Sequence, residues 1–209
     1  MSPPFIPMAP ILPPGKAGDI EIDHFTFDKK MADTHRVTSM FSREAPIPEG
    51  TYARLKIGGT TMMSDTPMEQ RSNRYVVRKA KGDVLIAGLG IGMIVVAMAQ
   101  DPEVKTITVI EKSADVIKLV EPHLHKVTKG KLTVIEADIF EFKPEKNQKW
   151  DTIYFDIWFH ICTSNLDDMA RLHRKYGRRK PEDGYMASWE HNTLLAERRR
   201  ENANPYPRW

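Results

Sequence analysis

The sequence predicts an α/β protein, in which a doubly wound, mostly parallel sheet follows a small β-rich module. From residue 83 onward, short apolar segments alternate with helical patterns, the order typical of parallel strands joined by right-handed crossovers. Before that point, alternating apolar residues and a Gly58-Gly59 turn are typical of an antiparallel hairpin. We therefore expect a proline-rich arm over residues 1–18, the β-rich module over 19–81 and the parallel domain over 82–209.

The arm holds six of the fifteen prolines of the chain, interleaved with apolar residues. Proline fixes φ and has no N–H, so the segment is expected to be extended and to form neither a helix nor a central strand. Its apolar side chains need a surface to cover. That surface is either the arm's own domain or another subunit.

In the module, strands are expected at residues 20–27, 51–57 and 60–64, the last two forming the hairpin. The next helix begins with Thr66 and Glu69, which form a capping-box pattern, and with Pro67 at its first position. Gly82 is predicted to end this helix, because glycine readily adopts the left-handed conformation that follows many helices.

The parallel domain is expected to alternate strands with helices. The first of these helices is rich in valine and isoleucine, so burial must override a poor helix propensity. Ser113 is the predicted N-cap of the second, and Pro122 is predicted to stop it. The predicted strands cover residues 84–87, 106–110, 132–136, 152–155 and 184–189, and the helices cover 91–100, 113–121, 166–176 and 192–200.

Composition excludes several classes of protein. The single cysteine, Cys162, rules out an internal disulfide and a four-thiolate zinc site, and we predict no metal site. A net charge of +3 is not that of a dedicated nucleic-acid-binding protein. No apolar run approaches the length of a membrane span, and the start is unlike a secretory signal. We therefore expect a cytoplasmic protein without membrane contact.

The residues that follow the first parallel strand are Gly88-Leu89-Gly90-Ile91-Gly92. Glycines let the backbone approach a ligand closely, and the N-terminus of the following helix attracts anions. The dinucleotide fingerprint G-x-G-x-x-G requires glycine or alanine three positions after its second glycine, where this chain has Met93 or Val95. The pattern G-x-G-x-G fits instead.

On this loop and the acidic residues after the next strands, the chain resembles the class I S-adenosylmethionine-dependent methyltransferases over residues 83–189. The resemblance implies a Rossmann-like methyltransferase fold, with S-adenosylmethionine or its decarboxylated form as cofactor. It implies that the glycine loop lies against the methionine part, that Glu111 binds the ribose hydroxyls and that Asp138 binds the adenine amino group. The implied cofactor-binding residues are Gly88, Leu89, Gly90, Gly92, Glu111, Lys112, Asp138 and Ile139.

The resemblance also puts Asp156, which ends the fourth strand, at the transfer site. Methyl transfer from a sulfonium is an in-line displacement, so the protein mainly aligns the acceptor and can remove a proton from it. Asp156 is the first candidate base. His160 is the second, because histidine titrates near neutrality, although a surface or packing role explains it equally well.

One departure from the family bears on the substrate. Many members carry an acid two residues before the first glycine, where this chain has Ile86. The spermidine synthases, a subgroup with a small N-terminal β module, also lack that acid. Their polyamine-binding positions do not carry over, because their acidic pair falls on Pro67 and Met68. We therefore expect a spermidine synthase-like architecture with a different substrate.

Basic residues crowd the C-terminal part of the chain, within residues 171–180 and again at 198–200. They suit either a solvated helix face or a patch for phosphate-bearing or nucleic-acid acceptors. After residue 189 only 20 residues remain, so the seven-stranded sheet that is usual in the family is expected to be trimmed. A trimmed edge would be exposed, which suggests a homo-oligomer.

Three functions remain open. The first is a methyltransferase that acts on a small-molecule or nucleotide acceptor, with the N-terminal module shaping the acceptor pocket. The second is an aminopropyltransferase that uses decarboxylated S-adenosylmethionine. The third is a non-catalytic binding protein on the same fold.

Overall fold

The structure, a computed structural model, describes residues 5–41 and 45–203. Its N-terminal sheet contains β1 (Gly15–Ala17), β2 (Ile20–Phe27), β3 (Gly50–Ile57) and β4 (Thr60–Ser64). The strand order is β1-β2-β3-β4, and every pairing is antiparallel. Gly58 and Gly59, both with positive φ, form the turn between the last two strands, as predicted.

The second sheet contains β5 (Gly82–Ala87), β6 (Val104–Glu111), β7 (Leu132–Glu136), β8 (Thr152–Phe155) and β9 (Tyr185–Ser188). Its order is β7-β6-β5-β8-β9, and all four pairings are parallel. This order confirms the predicted doubly wound α/β fold. The chain reverses its direction across the sheet between β5 and β8, the point at which open α/β sheets bind ligands.

Six α-helices accompany the sheets in the described part of the chain. None of these helices is long and apolar enough to cross a bilayer. The helices are α1 (Lys29–Ser39), α2 (Pro67–Lys79), α3 (Met93–Ala99), α4 (Ala114–Leu124), α5 (Asn165–Tyr176) and α6 (His191–Ala203), with a short 3₁₀ turn at Gly177–Arg179.

The hydrophobic core explains why the two sheets stay together. Residues of β2 and β3 pack in one cluster with residues of β5 and with α3, every residue of which is buried. The side chains of β8 are also all buried, which accounts for its continuously apolar sequence. Burial of this kind stabilises α3 despite its valines and isoleucine, as the sequence predicts.

Three local predictions are corrected. The first crossover helix begins at Met93, because Gly92 before it has a left-handed φ of 75°. Pro122 lies inside α4, where it removes one hydrogen bond near the end of the helix without ending it. Gly82 begins β5 and does not end α2; an added Cβ there would overlap the side chain of Asp151.

The capping-box pattern is only half present. Thr66 is the N-cap of α2 and Pro67 occupies the first position, as predicted. The Thr66 hydroxyl makes no capping hydrogen bond and instead lies 3.1 Å from the hydroxyl of Ser64. The Glu69 carboxylate is hydrogen-bonded to the backbone of Ser64, so it does not complete the box.

The N-terminal arm, as far as residues 5–18 describe it, packs on its own chain. The side chains of Met8 and Leu12 are fully buried, and residues 1–4 lie outside the described residues. The prediction of a fully extended arm is wrong. Residues 8–12 form a turn in which the N–H groups of Ile11 and Leu12 donate to the carbonyl of Met8, and β1 pairs with β2.

The buried Asp65 ties this arm to the hairpin. Its Oδ2 accepts a hydrogen bond of 2.6 Å from the Met8 N–H, and its Oδ1 accepts one of 2.8 Å from the Ala53 N–H. Asp65→Ala leaves both buried donors unsatisfied, so we expect the free energy of unfolding to fall by about 2–4 kcal/mol. Urea unfolding measures this loss. Asp33→Ala, on the exposed α1, is the matched control, and an equal loss in both variants would contradict the assigned role.

Candidate active site

A cavity of about 530 Å³ lies at the carboxyl ends of the central parallel strands. One wall is formed by the segments that follow β5, β6, β7 and β8. The opposite wall comes from the N-terminal sheet and from the first turn of α2, through Leu55, Met63 and Glu69. The cavity therefore lies between the two sheets, with the parallel sheet supplying most of its charged groups.

The glycine loop contributes Gly88, Leu89 and Gly90 to this wall. Gly88 has a φ of 96°, and an added Cβ would overlap the carbonyl oxygen of Asp156. Gly90 has a φ of 52°, and its Cβ would overlap the sulfur of Met63. Only glycine therefore fits both positions without displacing a neighbour.

Gly92, the third glycine of the pattern, does not line the cavity. It is the N-cap of α3, and an added Cβ would come within 2.6 Å of the Leu124 side chain. The close packing of α3 against α4 therefore accounts for this glycine, and the sequence-based interpretation of it as a ligand contact finds no support in the geometry.

Glu111, the last residue of β6, is held rigidly at the cavity wall. Its Oε2 accepts a hydrogen bond of 2.7 Å from the Leu89 N–H, and its Oε1 accepts one of 2.8 Å from the Ser113 N–H. A carboxylate oxygen can accept more than one hydrogen bond, so both oxygens keep capacity for donors from a ligand. The carboxylate thus connects the glycine loop with the start of α4.

Asp138 follows β7 and lines the same cavity with its neighbour Ile139. Its Oδ2 forms a 2.9 Å ion pair with Lys112, and its Oδ1 accepts a 2.8 Å hydrogen bond from the Phe140 N–H. The hydrogen bond from Lys112, followed by that from Phe140, lowers the pKa of Asp138. Asp138 therefore stays ionised at neutral pH.

Asp156 follows β8 directly and also lines the cavity. Its backbone N–H donates to the Ala87 carbonyl over 2.9 Å, which fixes its position next to the glycine loop. Burial raises the pKa of its carboxyl group to about 7, and the negative charge of Glu69 adds to the shift. Asp156 can therefore gain or lose a proton near neutral pH.

Glu69, in the first turn of α2, is a site residue that the sequence reasoning considered only as part of a capping box. It lines the cavity from the wall opposite the glycine loop. Burial raises the pKa of its carboxyl group to about 7, an effect that the hydrogen bond to the Ser64 backbone partly offsets. The unfulfilled capping box is the local signal that this carboxylate serves another purpose.

His160, the second candidate base, lies away from the cavity. Its side chain is exposed, and its backbone carbonyl accepts a 2.6 Å hydrogen bond from Asn165 near the start of α5. The exposed Cys162 belongs to the same loop, with its sulfur 3.0 Å from the Ser164 hydroxyl. The loop after β8 therefore turns outward beyond Phe159, and the base assignment of His160 is not supported.

Two tryptophans form part of the cavity wall. Trp158 follows Asp156, and Trp189 follows β9. Both indole nitrogens are buried and have no hydrogen-bond partner among the described residues. Phe159 also lines the cavity and is 62% exposed at its mouth. The cavity thus has a largely aromatic wall on this side.

The basic C-terminal residues are largely engaged within the fold. Their partners are carbonyl, hydroxyl, carboxylate or aromatic groups of the same chain. β9 forms the outer edge of the five-stranded sheet in the described part of the chain, as expected of a trimmed sheet. Nucleic-acid binding and homo-oligomer formation both stay predictions. The basic residues that contact carbonyl, hydroxyl, carboxylate or aromatic groups of the chain are Arg171, His173, Lys175, Arg179, Lys180 and Arg198.

No protein-family model matches the chain, and no curated protein matches it. Solved structures similar to parts of the chain include methyltransferases and a complex with S-adenosyl-L-homocysteine (SAH). A DhpI–SAH complex is 18% identical. The similar region covers 57% of this chain and 56% of the DhpI chain, with a TM-score of 0.42. The CcbJ methyltransferase from Streptomyces caelestis is 16% identical. The similar region covers 58% of this chain and 49% of the CcbJ chain, with a TM-score of 0.47.

The N-methyltransferase NodS from Bradyrhizobium japonicum WM9 is also 16% identical, covering 64% of this chain and 83% of its own, with a TM-score of 0.47. This chain spans about half the length of the DhpI and CcbJ chains.

Proposed function

We propose that this protein is an S-adenosylmethionine-dependent methyltransferase that acts on a small-molecule acceptor. The observation that carries the proposal is that four sets of candidate groups line one cavity, at the switch point of the parallel sheet. The glycine loop, Glu111, Asp138 and Asp156 meet there, each at the carboxyl end of a different parallel strand. This arrangement provides a backbone cradle, two ionised acceptors and a titratable carboxyl group within one enclosure.

The residues present fit the proposed cofactor. Gly88 and Gly90 line the cavity and carry no side chain, so their backbone can approach the methionine part closely. Glu111 would accept hydrogen bonds from the ribose hydroxyls, and Asp138 from the adenine amino group, with Leu89, Lys112 and Ile139 alongside. When bound, S-adenosylmethionine would supply an electrophilic methyl group on a sulfonium that is a good leaving group.

The protein's own contribution is alignment together with proton removal. The rigidly held Glu111 and the loop fix one reactant, while Asp156 orients the other by a hydrogen bond to its nucleophilic atom. Because the pKa of Asp156 is about 7, its carboxylate can accept a proton from that atom near neutral pH. The hairpin covers the cavity with the apolar side chains of Leu55, Met62 and Met63, which would exclude water from the bound reactants.

A binding experiment tests the cofactor assignment without any acceptor. We expect calorimetry with SAH to give a dissociation constant that Glu111→Ala raises by about 10–100-fold, because hydrogen bonds to a charged acceptor are lost. Glu136→Ala is the matched control, since Glu136 ends the neighbouring strand β7 but is exposed and outside the cavity. Unchanged SAH affinity in Glu111→Ala, or no SAH binding at all, would contradict the proposal.

One observation favours aminopropyl transfer as a second candidate. The apolar Ile86 lines the cavity at the position where many class I enzymes carry an acid. The spermidine synthases, which use decarboxylated S-adenosylmethionine, also lack an acid at that position. The same calorimetry with decarboxylated S-adenosylmethionine decides between the two candidates, and tighter binding of the decarboxylated form than of S-adenosylmethionine would favour the second.

A further inference from the structure

The charges inside the cavity are strongly unbalanced. Four carboxylates line it, from Glu69, Glu111, Asp138 and Asp156, together with one ammonium group, that of Lys112. Lys112 already forms an ion pair with Asp138. If Glu111 and Asp138 hold the cofactor as proposed above, then Glu69 and Asp156 are left to face the acceptor. An acidic enclosure with no spare cation attracts a positively charged molecule and repels an anion.

A buried hydrogen bond fixes these two carboxylates on opposite walls. Tyr154 and Asp156 are two residues apart at the end of β8, so their side chains leave the same face of the sheet. The Tyr154 hydroxyl donates to Oδ1 of Asn73 over 2.9 Å. Asn73 is four residues after Glu69 on α2, and residues at this spacing share a helix face. Asp156 and Glu69 therefore face each other across the cavity.

We propose that the acceptor is an amine, bound as its ammonium ion between Glu69 and Asp156; this inference rests on the proposed function. A cation placed between two partly buried carboxylates offsets the cost of keeping both ionised. A neutral alcohol would leave that repulsion in place, and an anion would increase it. The aromatic wall formed by Trp158, Phe159 and Trp189 suits an acceptor that has a planar body.

The same pair can take up the proton that an ammonium ion must lose before it reacts. The amine nitrogen passes one proton to a carboxylate, and its freed lone pair forms the new bond to the methyl carbon. The electron pair of the breaking carbon–sulfur bond stays on sulfur, which becomes a neutral thioether. The product is a methylated ammonium ion, and the carboxylate returns its proton to solvent.

The pH dependence of binding follows from the groups that face the pair. Both carboxyl groups have pKa values raised to about 7, so most of each is protonated at pH 6 and most is ionised at pH 8. The pKa of Tyr154 lies well above its usual value, so it stays neutral over this range. The charged and titratable groups around the pair are Glu111, Lys112, Asp138 and Tyr154, with Tyr185 and Glu190 acting on Tyr154.

Three small molecules with one ring and different head groups test the inference: tyramine, the neutral tyrosol and the anionic 4-hydroxyphenylacetate. We expect calorimetry at pH 8 to give tyramine at least about tenfold higher affinity than tyrosol, and no binding of the acid. Tyramine affinity should rise about tenfold or more from pH 6 to pH 8. Binding at pH 7 should release protons, which titrations in buffers of different ionisation enthalpy detect. Equal affinities for tyramine and tyrosol would overturn the inference.

Variants separate the acceptor site from the cofactor site. Glu69→Gln should weaken tyramine binding about tenfold or more and flatten its pH dependence, while leaving SAH affinity unchanged. Glu136→Gln, on the exposed end of β7, should alter neither. A loss of SAH affinity in Glu69→Gln would overturn the inference, because it would assign this carboxylate to the cofactor. Tyramine is titrated both with and without SAH in the solution. If the protein binds tyramine in a pH-dependent way but does not bind SAH, the proposed function is rejected and the amine site is retained.

Discussion

Replacing Asp156 by asparagine is expected to slow methyl transfer by about 10²–10⁴-fold, the contribution of a positioned general base. Asparagine preserves the size of the side chain but cannot accept the acceptor's proton. In the wild type the transfer rate should rise with pH through about 7, because the ionised form of Asp156 increases over that range. The initial rate of labelled methyl transfer from S-adenosylmethionine to tyramine measures both effects.

Stability and cofactor binding distinguish lost chemistry from misfolding in this variant. A carboxyl group whose folded pKa is raised makes the folded state less stable as pH rises from about 4 to about 7. Asp156→Asn removes that penalty, so its free energy of unfolding at pH 8 should not fall below that of the wild type. SAH affinity should also persist. Asp167→Asn, on the exposed face of α5, is the activity control, and an unaltered rate in Asp156→Asn would contradict the base assignment.

Gly88→Ala is expected to abolish SAH binding and to lower the free energy of unfolding by about 3 kcal/mol or more. The added Cβ meets two costs at this position. Alanine is strained at a φ of 96°, and the methyl group overlaps the backbone carbonyl of Asp156, which cannot rotate away as a side chain could. Relief of the overlap would displace the glycine loop from the end of β8. Urea unfolding and calorimetry with SAH measure the two losses.

Gly130→Ala isolates the conformational cost from the steric one. Gly130 also has a positive φ, 75°, but no atom lies within 4 Å of an added Cβ. We expect this control to lose about 1 kcal/mol and to keep its SAH affinity. Equal losses of stability in Gly88→Ala and Gly130→Ala, with SAH binding intact in both, would show that the close approach at Gly88 does not shape the cavity.

The parallel sheet could be predicted closely because its strands are short, apolar and bounded by polar residues. β7 and β8 have the bounds that the sequence indicates, and β5 and β6 begin only two residues earlier. The two elements that sequence reasoning missed are α1 and β1. No residue of α1 is buried, so it lacks the apolar periodicity by which helices are recognised.

The candidate site was predictable where a ligand group lies at the end of its strand or just after it. Glu111, Asp138 and Asp156 satisfy that rule, and all three line the cavity. Glu69 does not, because it reaches the cavity from a helix that precedes the parallel sheet in the chain. Its place opposite Asp156 depends on how α2 packs against β8. His160 fails for the opposite reason, since proximity in sequence to Asp156 does not keep it beside the cavity once the loop turns outward.

The position of the cavity between the two sheets links their fluctuations. A ligand there touches the hairpin and the parallel strands at once, and one hydrophobic core already joins them. Its binding free energy is therefore added to the stability of both layers, although the parallel sheet supplies most of the charged groups. Amide protons of the hairpin should then exchange with solvent more slowly when a ligand fills the cavity, even where the ligand is bound mainly by groups of the parallel sheet.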